Sequence, residues 1–147
     1  MSEAEHATVR IRDIEDFIQG YLEAAVFTGA ERKDGDPLKD SDKDYDWTLD
    51  DLDEEDHQSL RANAAVWCAR HRHIILAAEE TGEVHLGGAN GVFALAGHDF
   101  WMTRNHHGVG FWDGDWPEPY ATKLTLASHA MTEVDLFVDV DDIVRLL

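Results

Sequence analysis

Residues 39–57, KDSDKDYDWTLDDLDEEDH, hold ten acidic side chains and two lysines. A run of this kind cannot enter a core, because a buried, unpaired carboxylate costs far more than its neighbours return. The stretch therefore splits the chain into two apolar regions that must meet around it. Between residues 31 and 56 there are thirteen acidic and four basic residues, nearly half of the net charge of −19. The apolar material there reduces to Leu38, Tyr45, Trp47, Leu49 and Leu52.

The flanking regions carry the core. Ile11, Ile14, Phe17, Ile18, Tyr21, Leu22 and Ala25 recur at helical spacing and predict a helix that Gly29 stops. Residues 1–9 read as a flexible tail, and residues 30–56 as an acidic loop leading into a long helix. Thr48, with Asp51 three residues on, offers a capping pattern. The long helix, with Leu60, Ala64, Trp67, His71, Ile74 and Ala78 along one side, runs to about Glu80, and Gly82 ends it. Residues 82–91 are glycine-rich and read as a loop. Phe100 to Arg104 and Val109 to Asp113 read as two strands around the turn residues NHHG. Pro117 or Pro119 opens a helix with Tyr120, Leu124, Ala127 and Met131 on one face. Val134, Leu136 and Val138 then alternate as in a strand. The order predicts an α+β fold: a single compact domain over 1–147, whose small, mostly antiparallel sheet (hairpin plus C-terminal strand) packs with helices.

The charge excludes some partners. A chain with 12 Lys+Arg against 31 Asp+Glu repels nucleic-acid phosphates and anionic membranes. It fits a basic protein or nucleoprotein surface. Nucleic-acid mimicry, adaptation to high salt and plain solubility all account for acidity. The neutral middle of the chain, residues 57–112, favours a localised acidic face over uniform salt adaptation. A single cysteine, Cys68, rules out an internal disulfide. No signal peptide and no apolar run of membrane-spanning length is legible, so a cytoplasmic protein is expected.

Three constellations could carry chemistry. Asp40, Asp42, Asp44, Asp46, Thr48 and Asp51 fall at the ligand positions of a calcium loop. Tyr45 stands where the sharp turn wants glycine, and Asp51 is shorter than the usual bidentate glutamate, so a solvated loop competes with a calcium site. His98, Asp99, His106, His107 and Asp113 are candidate ligands for a transition metal in a metal-binding protein or metal-dependent enzyme. Their spacing matches no zinc signature. The competing reading has His98 and Asp99 bonding backbone while Phe100, Trp101, Phe111 and Trp112 fill the core. Ser59, Ser128 and Cys68 lack the frame of an activated nucleophile. The GGANG stretch at 87–91 lacks the Lys-Ser/Thr of a phosphate loop. No catalytic residue and no cofactor is assigned on this basis.

The stretch AGHDFWMTRNHHGVGFWDGDW, residues 96–116, resembles a core motif, GHDFW-x-TRN-x-HG-x-GFWD, of small, acidic, uncharacterised proteins of phages and other mobile elements. FIQGYLEAAVF is similar to their first helix, DWTLDDL follows their acidic segment, and EVDLFV is similar to their ending. Residues 71–94, HRHIILAAEETGEVHLGGANGVFA, depart from that pattern by their length. The resemblance implies a mobile element in a prokaryotic host cell and brings no activity. In that setting the expected role is an accessory protein that binds a basic surface of a host protein. One form is a DNA-mimicking inhibitor of a defence system, anti-CRISPR or anti-restriction, with carboxylates in place of phosphates. Asp40, Asp42, Asp44, Asp46, Asp50, Asp51, Asp53, Glu54, Glu55 and Asp56 are the expected contact set.

Overall fold

A computed structural model describes residues 2–32, 44–45 and 47–146. Helix α1 (Glu3–Thr28) starts earlier than its apolar periodicity. Ser2 caps it, its Oγ accepting the Glu5 N–H at 3.1 Å, so most of the expected flexible tail is instead the exposed first turns of the helix. The apolar residues Phe17, Ile18, Tyr21, Leu22, Ala24 and Ala25 are buried further along. Gly29, at φ 76°, ends the helix in a conformation that favours glycine.

Helix α2 (Glu54–Glu80) follows a short 3-10 turn (Leu49–Asp51). Two ion pairs tie it to α1. The Arg72 guanidinium donates to the buried Asp13 carboxylate at 2.7 and 3.1 Å, and Arg61 donates to both oxygens of Glu15. The fully buried face is Leu60, Ala64, Trp67, Cys68, Ile75 and Ala78. Ile75, one position beyond the expected Ile74, is the innermost residue of its turn.

The region expected to form a hairpin is built differently. Val92–Arg104 is a helix, α3, and residues 105–116 form turns. The aromatic run Phe100-Trp101 favours a strand locally. The tertiary setting prevails, because the five successive residues Phe100 to Arg104 are all buried. A strand with one solvated face would expose alternate ones, whereas a helix apolar all round is what a core encloses. Phe100 stacks on Trp67 with centroids 4.1 Å apart and lies against Phe17 and Tyr21. Trp112, expected in the core, is 53% exposed; Trp116 takes the inner position, edge-on to Phe111.

Glycine sets the closest helix approach. A Cβ on Gly97 would lie 1.9 Å from the Phe17 carbonyl oxygen, and one on Gly20 would lie 2.1 Å from that of Ala94. Helices α1 and α3 therefore touch backbone to backbone, and the polar residues beside Gly20 are carried up to α3.

The residues that end α3 act as staples. The Phe111 N–H donates to Thr103 Oγ1 at 3.1 Å. Arg104, 2% exposed, donates twice to the Thr132 carbonyl and once each to Tyr21 and Asn63. Asn105 Oδ1 accepts the Val134 N–H at 2.7 Å. The bonds to Thr132 and Val134 dock the chain that follows helix α4 (Tyr120–His129).

The sheet lies at the chain's two loop regions. Its order is β2 (Asp44–Tyr45), β1 (Ala30–Arg32), β3 (Leu136–Val138), β4 (Val144–Leu146). The outer pairings are antiparallel and β1–β3 is parallel, with Glu31 opposite Phe137. The α+β class and a mostly antiparallel sheet hold, with the C-terminal hairpin at 136–146 rather than at 100–113. Among the described residues no helix is long and apolar enough to cross a membrane.

Candidate functional site

Part of the acidic stretch has structural work. Asp51 Oδ2 accepts the Thr48 N–H at 2.9 Å and closes a capping box on the 3-10 turn. Asp53 caps α2, accepting from the Asp56 N–H, and pairs with Arg145. Asp56 Oδ2 accepts the Leu146 N–H at 3.0 Å, so the start of α2 is fastened to β4. Carboxylates here also face the positive end of the α2 dipole. Asp50, Glu54 and Glu55 are exposed and point no bond at the sheet among the described residues. Asp40, Asp42 and Asp46 lie outside the described residues; of Asp44, the described part is its backbone, paired with Glu31 in the sheet. The calcium arrangement thus lies largely outside them too, and its Thr48 and Asp51 are bonded to each other.

The histidine-rich set separates into two places. His98 and Asp99, on α3, and Asp113, on the turn that follows, line one cleft. His106 stacks on His129 at 4.8 Å and faces Glu133, and His107 is exposed; neither lines the cleft. Among the described residues no three His, Cys, Asp or Glu side chains are arranged to hold a metal ion. Asp113 accepts from the Gly110 and Asp115 N–H groups, and Asp99 is engaged by two side chains.

The cleft, about 510 Å³, lies between α1, α3, the glycine-rich loop and the 109–115 turn. Its polar lining is Asp16, Gln19 and Glu23 from α1, Asn90 from the loop, His98 and Asp99 from α3, and Asp113 and Asp115 from the turn. Among the described residues no lysine or arginine lines it. At its wall stands an ordered pair. Asp99 is 2% exposed; Oδ1 holds His98 Nδ1 at 2.9 Å and Oδ2 accepts the Trp116 indole N–H at 2.7 Å. Nδ1 is engaged with Asp99, so Nε2 is the ring nitrogen that remains on this cleft-lining residue. The hydrogen bond to Asp99 raises the His98 pKa above the ordinary histidine value, against the opposing effect of burial, and Asp99, Asp113 and Asp115 add to the rise. The Asp115 carboxyl is raised as well, first by burial and then by Asp113 and Asp99, with His85 opposing.

Sequence reasoning found His98, Asp99 and Asp113 but missed Asp16, Glu23, Asp115 and Trp116. One signal was available. Asp16, Gln19 and Glu23 flank Gly20 on one face of α1, and a glycine inside an amphipathic helix marks close approach by another backbone. Within the GHDFW-TRN-HG-GFWD motif, Thr103, Arg104, Asn105 and Asp113 are tied into local or tertiary bonds, and Phe100, Trp101 and Phe111 are core. His98 is the half-exposed member that is both oriented and open to the cleft. No family model, no curated protein and no solved structure matches this chain.

Proposed function

We propose that this chain is an acidic binding protein that docks on a basic surface of another protein and takes a cationic group into the cleft beside His98. The observation that carries the reading is the lining: five carboxylates, Asp16, Glu23, Asp99, Asp113 and Asp115, and among the described residues no lysine or arginine, in a chain of net charge −19. The carboxylates surround the space without three of them converging on a metal-sized point. That distribution suits a guanidinium or ammonium group on an organic stem better than a bare ion. Exposed Leu86 and Val109 on the lining supply apolar contact for such a stem.

A host protein that normally holds nucleic acid presents the matching surface, with cations spaced for phosphates. The resemblance to proteins of mobile elements supports that setting, and an inhibitor of a defence system is its concrete form. Long-range attraction speeds the encounter, and the cleft selects the group that anchors it. The exposed Asp50, Glu54 and Glu55 extend the acidic surface.

The test is binding of a fluorescent arginine-rich peptide, followed by anisotropy at several salt concentrations. The parent should bind more weakly as salt rises, because exposed charges are screened over about 8–10 Å near physiological ionic strength. D16N/E23Q should bind several-fold more weakly, and D50N/E54Q/E55Q should mainly slow association. Equal affinity of D16N/E23Q and the parent would remove the cleft from the account.

A further inference from the structure

The Asp99–His98 pair is more ordered than cation binding requires. A carboxylate that only attracts a cation gains nothing from being buried and fixed by an indole. A carboxylate that orients an imidazole gains from both, since its position and charge are then constant while the ring takes up a proton. We propose that His98 acts in this cleft as a general base in the hydrolysis of carboxylic esters, with Asp99 as its positioning residue and Trp116 fixing Asp99. The preference for an ester that carries a cationic group rests on the reading of the cleft given above.

The step balances with water alone. His98 Nε2 takes a proton from water as the water oxygen bonds to the acyl carbon. The tetrahedral adduct then expels the alkoxide, which takes the proton back from Nε2–H, leaving an acid and an alcohol. Asp99, Asp113 and Asp115 favour the imidazolium formed midway. Asn90, on the same lining, carries amide N–H groups for the carbonyl oxygen, while Gln19 donates one of its own to Glu23 Oε1 at 2.9 Å and keeps the other. The substrate's own cation offsets the repulsion that the lining would exert on a developing oxyanion.

The base must be neutral, so the rate should rise with pH through a midpoint above the ordinary histidine value. Asp99 on its own helix and Asp113 and Asp115 from the turn raise that midpoint against burial; Asp16 and Glu23 from α1 line the same cleft, and His85 stands beside Asp115. D99N should move it down.

The experiment compares the 4-nitrophenyl esters of acetyl-lysine and acetyl-norleucine, a pair that differs by the ammonium group. Nine histidines can each add slow background hydrolysis, so the readout is the saturable rate that H98Q removes. Saturable hydrolysis of the lysine ester, reduced about 10²-fold or more in a folded H98Q protein, is expected from the usual size of general-base catalysis. W116F, which frees one Asp99 oxygen without removing the carboxylate, should fold and show a shifted pH profile if D99N does not fold. The proposal is overturned if H98Q matches the parent, or if the parent hydrolyses neither ester saturably. Acetyl-lysine amide that binds the cleft while neither ester is turned over would leave the cation reading standing without the base. A norleucine ester cleaved as well as the lysine ester, with loss in H98Q, would uphold the base and sink the cation reading.

Discussion

Gly97→Ala separates local propensity from tertiary contact, because the two predict opposite signs. In an isolated helix the change stabilises by about 1 kcal/mol. Here the new Cβ would sit 1.9 Å from the Phe17 carbonyl oxygen and 2.9 Å from the Tyr21 nitrogen, both backbone atoms of α1. A carbon and a carbonyl oxygen approach comfortably at about 3.3–3.6 Å. The helices must therefore part by roughly 1 Å or more, a gap that forfeits a quarter to a half of each dispersion contact along the seam. Overpacking of this kind costs about 1–3 kcal/mol, and a clash with backbone belongs at the upper end. After the propensity gain the net loss should be about 2 kcal/mol, or a fall of roughly 4–8 °C in Tm for a chain of this size. Denaturant unfolding with an unchanged m value is the assay. A G97A protein as stable as the parent would refute the backbone-to-backbone crossing, and with it the mechanism that carries Asp16 and Glu23 up to His98.

Three other outcomes follow from particular contacts. Phe100→Ala should cost about 3–5 kcal/mol, whereas Trp112→Ala should stay within about 0.5 kcal/mol; urea midpoints of the two variants check this, and a reversed order would contradict the placement of the aromatic residues. Cys68, whose thiol pKa is pushed up to about 12 by burial first and by Asp13, with Arg72 opposing, should resist a thiol reagent at pH 8 until the chain unfolds; rapid native labelling would refute its position. Asp139 is held below the usual carboxylate range, first by Arg145 and then by the Ile143 N–H, so its contribution is present above about pH 4 and lost as pH falls through its lower folded value; R145Q should show a smaller loss of urea midpoint between pH 5 and 2 than the parent, and an identical acid limb would contradict the pair.

Much of the architecture was legible where periodicity and punctuation coincide. Helix α1 ends at Gly29, α2 ends at Glu80 just before Gly82, α4 starts beside Pro119, and Leu136–Val138 is a strand. Helix α3 was not legible. Its apolar residues lie all round, so no face stands out, and Phe100-Trp101 carries strand propensity. The early start of α1 had a signal in Ser2 and Glu5, a capping pattern that the absence of nearby apolar residues hid. Strands β1 and β4 are three residues each, and their pairing with β3 is a property of the assembled fold. At the site, adjacency in sequence exposed the His98–Asp99 pair. The partners from α1, and Trp116 seventeen residues on, depend on a helix crossing that no local window contains.

The most direct measurement is an NMR titration of the isotopically labelled chain with an arginine-rich peptide, following the backbone amides and the His98 and Trp116 ring signals. Shifts should concentrate at Asp16, Glu23, His98 and the 109–115 turn, and shrink in D16N/E23Q. Shifts confined to residues 49–56, with the cleft silent, would contradict it and return binding to the acidic stretch.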